Sequence, residues 1–240
     1  MFSCCFCSSV NLNGLHEDSQ FLTHNGYKCI ADLEEDDAVW NGFEYDYPRV
    51  KMLPKPVQMM TVAFSNYVEV KCIPSQVFPI VNYAGSSQYE LVEACNLKPG
   101  MILINFEHST FPCFSIEKFN YTYGEWMHLM MNDDGDIVKP DLDSCMKLRL
   151  KFQTLGVDSN VVRHKNKYKL KFTQKGRNKL LRYKVDCPEE WRNEELDPEV
   201  VTVTSASANT DYNTVYTFAP TLNRSHMIVN GLMIGSNITV

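Results

Sequence analysis

Short apolar runs broken by turn signals fill the chain from Phe21 to about Asn105. Ala38-Val39-Trp40, Met59-Met60-Thr61-Val62-Ala63-Phe64, Val68-Glu69-Val70-Lys71-Cys72 and Met101-Ile102-Leu103-Ile104 have the length and branched content of strands. Asn25-Gly26 and Asn41-Gly42 read as hairpin turns, so this half predicts β structure throughout. Beyond Lys118 the period changes. Residues 123–131 and 144–155 carry apolar side chains at helical spacing, whereas Tyr168-Lys169-Leu170-Lys171-Phe172 alternates as a strand does. An acidic, proline-containing linker over residues 188–198 leads back to β-rich sequence at residues 200–204 and 214–218. The pattern therefore predicts a mainly β domain, residues 14–110 and 200–240, interrupted by a small α/β insert over residues 111–199 and preceded by a cysteine-rich tail over residues 1–13.

Composition adds a core and an asymmetry. In 240 residues, 44% are hydrophobic, enough to bury a sizeable interior. The net charge is −6, yet residues 163–184 hold ten Lys or Arg and no Asp or Glu, leaving 13 basic against 29 acidic residues elsewhere. A basic module set in an acidic host is the simplest organisation. Nine cysteines, an odd count in apolar contexts such as Val70-Lys71-Cys72-Ile73, predict reduced thiols and a cytoplasmic location. The opening Met1-Phe2-Ser3-Cys4-Cys5-Phe6-Cys7 has no positive leader and too short an apolar run for a signal peptide or membrane span. Cys4, Cys5 and Cys7 are close enough to share zinc or an iron–sulfur centre, but adjacency and the lack of a nearby fourth ligand favour an apolar tail. No metal or other cofactor is expected.

Five ordered segments resemble the blocks of inteins, the self-splicing Hint-fold domains. Leu22-Thr23-His24-Asn25-Gly26-Tyr27-Lys28-Cys29-Ile30-Ala31-Asp32-Leu33 and Asp37-Ala38-Val39-Trp40-Asn41-Gly42 look like the opening block, its ending most similar to inteins of ribonucleotide reductases. Residues 70–78 resemble the strand that carries "T-x-x-H", and Ala94-Cys95-Asn96-Leu97-Lys98-Pro99-Gly100-Met101-Ile102-Leu103 resembles "A-x-x-L-x-x-G-D-x-L". Val215-Tyr216-Thr217-Phe218 and residues 226–237 resemble the two closing blocks. The resemblance implies a horseshoe-like β domain, with the insert where inteins carry an endonuclease.

It also implies that the splicing chemistry has decayed. The first intein position falls on Gly14, which has no nucleophile. The threonine and histidine that polarise the scissile amide are replaced by Ile73 and Gln76, neither of which titrates. Asn237 is present for cyclisation, but Ser236 precedes it and Ile238 follows, so no acceptor stands at the junction. No catalytic residue is expected to be active. His226 and Asn237 are the residual candidates, for proton transfer and for slow release of the last three residues; the plainer reading of His226 is a histidine packed beside the closing strands.

In the insert, Tyr121-Thr122-Tyr123-Gly124-Glu125-Trp126 resembles the start of a dodecapeptide homing-endonuclease helix, but the acidic position falls on Leu129. Asp133-Asp134-Gly135-Asp136 lies beyond the required spacing, lacks EF-hand alternation, and reads as a solvated turn. Arg163, Lys165, Lys167, Lys169, Lys171, Lys175, Arg177, Lys179, Arg182 and Lys184 are the candidate contacts to nucleic acid or to a protein partner. Two functions remain open: a splicing-inactive binding or structural scaffold, which the ribonucleotide-reductase resemblance extends to a phage or viral assembly component in host cytoplasm or virion, and a degenerate homing element with residual DNA binding. A protein partner or assembly is expected in the first case, and a membrane in neither.

Overall fold

The computed structural model describes residues 13–104, 135–182, 187–192, 200–220 and 226–236. Along the first part, β1 (Leu15–His16), β2 (Gln20–Thr23) and β3 (Gly26–Cys29) precede a 3-10 turn (Ile30–Asp32). Next come β4 (Val39–Trp40), β5 (Tyr45–Asp46), β6 (Arg49–Met52), β7 (Val57–Phe64) and β8 (Glu69–Cys72). β9 (Val77–Val81), β10 (Tyr89–Glu93), a second 3-10 turn (Ala94–Asn96) and β11 (Ile102–Leu103) complete it. The four apolar runs singled out in the sequence all contain a strand. At Asn25-Gly26 the turn is His24–Asn25, closed by Thr23, whose hydroxyl accepts from the Asn25 N–H (3.1 Å) and donates to the Gly26 carbonyl (2.7 Å). At Asn41-Gly42 the Asn41 Oδ1 accepts from the N–H groups of Phe43 (3.0 Å) and Glu44 (2.9 Å), a side chain standing in for a backbone turn.

The insert holds β12 (Ile137–Lys139), α1 (Leu142–Thr154), β13 (Ser159–His164), β14 (Lys167–Phe172), α2 (Gln174–Arg182) and a 3-10 turn (Glu189–Arg192). α1 begins two residues before its apolar pattern because Asp141 caps it, accepting from the Ser144 N–H at 2.8 Å. The helix expected over residues 123–131 lies outside the described residues. The acidic run differs from expectation at Asp136, which is buried and paired with Lys169 at 3.2 Å rather than solvated. The chain then returns through β15 (Val203–Asn213), β16 (Val215–Ala219), β17 (His226–Val229) and β18 (Leu232–Gly235).

Two curled six-stranded sheets form the body, ordered β15-β7-β8-β1-β16-β6 and β18-β17-β2-β4-β5, with β3 paired to β2. A three-stranded sheet, β10-β9-β11, completes the β domain, and β12-β14-β13 makes the antiparallel sheet of the insert. Strands from both ends of the sequence interleave, since β1 sits between β8 and β16, and β17 pairs with β2. The main core joins Phe21, Phe64, Phe78, Phe218, Met227 and Ile234; the insert has its own, around Phe152, Leu170, Phe172 and Trp191. The chain leaves and re-enters the β domain through one neck, where the Leu103 N–H donates to the Val201 carbonyl (2.8 Å) and the Val203 N–H to that of Met101 (2.9 Å).

Candidate functional site

Gly14 leads into β1, Ile73 and Gln76 occupy the turn between β8 and β9, and Gly235 ends β18 with Ser236 just beyond it. The topology brings these three points to one buried place, because β1 is hydrogen-bonded to β8 and β9 packs on β18. The Gly14 N–H donates to Gln76 Oε1 at 3.2 Å, and Gln76 Nε2 donates to the carbonyls of Gly235 (2.7 Å) and Val77 (3.1 Å). One amide thus bridges the beginning and the end of the β domain. Next to it, Asn13 Nδ2 donates to the Ser236 hydroxyl oxygen at 2.7 Å, closing a second bridge between segments 223 positions apart. Gln76 and Asn13 are fully buried and Ser236 is 2% exposed.

The space at Gly14 is filled from the other side. A Cβ there would lie 2.7 Å from Val215 Cγ1, 3.0 Å from Ile73 Cδ1 and 3.1 Å from Ile73 Cγ2. The Ile73 N–H also donates to the Gly14 carbonyl at 3.0 Å, fixing the two backbones together. Ile73 and Val215 belong to a small apolar cluster with Met59, so the space beside Gly14 is a packed apolar plug. Gly14, Ile73 and Val215 carry no nucleophile, and the Gln76 amide has no titrating proton, so the hydroxyl of Ser236, which accepts from Asn13, is the one reactive side-chain group among those named here.

His226 opens β17 directly across from Gly235 and is 5% exposed. Its ring meets Tyr89 edge-on at 5.0 Å, packing beside the closing strands. Asn237 and Ile238 lie outside the described residues, as do Cys4, Cys5 and Cys7. Among the described residues no group of three or more His, Cys, Asp or Glu side chains is placed to hold a metal ion. Burial pushes the Cys145 thiol up to about 11 and the Cys72 thiol higher still, so neither is a ready nucleophile at neutral pH.

The basic candidates separate into two sets. Arg163, Lys165, Lys167, Lys171, Lys175 and Arg182 are exposed. Lys169 faces Asp136, the Arg177 guanidinium lies 4.9 Å above the Trp191 ring and is buried, and Lys179 is half-buried, its pKa lowered by burial and by Arg182. Lys184 lies outside the described residues. Sequence reasoning missed Asn13 and Val215: the Asn13-Gly14 pair was visible, but nothing local in the chain shows that Ser236 returns to meet it.

No family profile matches the sequence, and no curated protein matches it. Among the helices described, none is long and apolar enough to cross a membrane. Solved structures similar to this chain include the gp41-1 intein, at 10% identity over 93% of this chain and 98% of that one, with a TM-score of 0.45. They also include a DnaB intein from Synechocystis sp. PCC 6803, at 10% identity over 94% and 99% and a TM-score of 0.47. The Ssp DnaB mini-intein variant M86 matches at 10% identity over 95% and 96%, with a TM-score of 0.48.

Proposed function

We propose that this chain is a Hint-type protein in which the splicing centre has become a structural lock, and that it works as a binding or assembly scaffold. The observation that carries this reading is the single amide of Gln76 holding Gly14 and Gly235 while Ile73 and Val215 fill the space above Gly14. The five ordered sequence blocks supply the correspondence of positions, and the meeting of Gly14, Ile73, Gln76 and Ser236 in one buried place supports this reading. A fold can be kept after its chemistry is lost. In the same reading the α/β insert is the remnant of an endonuclease, and the ribonucleotide-reductase likeness extends the role to a phage or viral assembly component.

The test is to place the full chain in frame between two reporter domains. The expected product is one unspliced polypeptide that resists thiol-induced cleavage and whose intact mass persists on warm incubation. Ligated reporters would sink the proposal, and loss of the mass downstream of Asn237 would mean that cyclisation survives.

A further inference from the structure

Three of the exposed cations of the insert, Arg163, Lys165 and Lys167, are gathered at the tip of the β13–β14 hairpin. Across it His164 pairs with Lys167 and Arg163 with Tyr168, leaving Lys165 and Asn166 as the two-residue loop. Arg163, His164, Lys165, Asn166 and Lys167 are all exposed, and no carboxylate of the described residues pairs with any of them. Lys165 has φ 54, a left-handed conformation that glycine or asparagine adopts more cheaply. A lysine at a place that disfavours it places its charge at the apex. One pair from the tip the hairpin is steadied on the β domain, where Tyr168 meets Tyr67 edge-on at 6.0 Å.

The β domain carries a matching acidic tip. Asp32, which ends the first 3-10 turn, and Glu34, Glu35 and Asp36 beyond it are all exposed. The turn is rigid: the Asp37 carboxylate accepts from the Glu34 N–H and from Lys28 Nζ, both at 2.7 Å, and the Asp37 N–H returns to the Glu34 carbonyl at 3.1 Å. Asp37 turns inward, and the other carboxylates face water.

We infer that the basic hairpin tip of one copy docks on the acidic turn, residues 32–36, of a second copy. This inference rests on the scaffold reading above and supplies its partner. Charge complementarity selects that occupant: outside residues 163–184 the chain has 29 acidic and 13 basic residues, so a second copy presents an acidic surface, whereas a nucleic acid would meet repulsion from most of the molecule. The inward turning of Lys169, Arg177 and Lys179 interrupts the longer basic stripe that a phosphate backbone would follow. Because tip and turn are different surfaces, the contact is head-to-tail and can propagate beyond a dimer. Both surfaces are preorganised, which limits the entropy lost on association.

Sedimentation velocity of the purified full chain is the test. Self-association is expected at low salt and should weaken about tenfold or more near 1 M salt, where the screening length falls to about 3 Å. Arg163→Glu/Lys165→Glu/Lys167→Glu should be monomeric, and so should Glu34→Lys/Glu35→Lys/Asp36→Lys. Mixing these two triple variants should restore association, because each then offers the charge that the other lacks; that recovery also shows both to be folded. A wild-type chain that stays monomeric at low salt, a mixture that stays monomeric, or a tip that binds duplex DNA more tightly than it binds its own chain would overturn the inference. The reporter assay fails or succeeds independently of sedimentation: a chain that does not splice but never self-associates loses this inference and not the scaffold reading.

Discussion

Gln76 stands where the resemblance to inteins places a histidine, and its amide offers a donor and an acceptor at fixed positions without a titrating proton. Both ends are used, on the Gly14 N–H and the Gly235 carbonyl, in full burial. Gln76→Ala leaves these two backbone groups without their side-chain partner, and at roughly 1–3 kcal/mol per unsatisfied group the variant should lose about 2–6 kcal/mol in urea unfolding. A loss below about 1 kcal/mol would show that water replaces the amide. Gly14 gives a sharper test, because its missing side chain and Ile73 compete for one space. Gly14→Ala should cost about 1–3 kcal/mol by overpacking, and Ile73→Ala about 2–5 kcal/mol by leaving a cavity. Together they should cost less than their sum, with a coupling of about 0.5–3 kcal/mol in a double-mutant cycle. Strict additivity would mean that the two positions do not share the space.

At the scale of elements, legibility followed locality. The strands of the first half and the alternation of β14 could be read because one face of each is buried and the period shows in the residues themselves. Gly14, Ile73 and Gln76 could be singled out only through the ordered blocks, and their hydrogen bonds come from the structure; the bridge between Asn13 and Ser236 was not legible at all, since it depends on strands from opposite ends meeting. α2 was missed for a different reason. Its sequence, QKGRNKLLR, is strongly polar and carries a glycine at a helical position, both of which argue against a helix in isolation. The fold needs that glycine: a Cβ on Gly176 would collide with the carbonyl oxygen of Asp158, which also accepts from the Thr173 N–H at 3.2 Å where α2 begins. Gly176→Ala should therefore be destabilising, by about 1–3 kcal/mol, despite alanine's better helix propensity. Hydrogen exchange should rise first in α2. Unchanged or greater protection there would refute the close approach as the reason for the glycine.

Across the whole molecule, two apolar cores are joined by more than the neck. Met146 on α1 packs against both cores, Arg149 Nη2 and Gln153 Nε2 reach the Gly231 carbonyl at 3.3 and 3.4 Å, and the Tyr27 hydroxyl donates to Gln153 Oε1 at 2.9 Å. Tyr27 is held neutral, burial raising its hydroxyl pKa well above the ordinary range, so it remains a donor across the accessible pH range. One helix of the insert is thereby built into the β domain, and the insert should not melt separately. Calorimetry of the full chain should give a single transition whose calorimetric and van't Hoff enthalpies agree. In a Tyr27→Phe/Met146→Ala/Gln153→Ala variant the polar contacts of Tyr27 and Gln153 and the shared apolar contact of Met146 are removed while the neck hydrogen bonds stay, and the thermogram should broaden or split in two. Two transitions in the unaltered chain would mean that α1 rests on the β domain without coupling to it, and the basic hairpin would then ride on an independent unit rather than on a rigid arm.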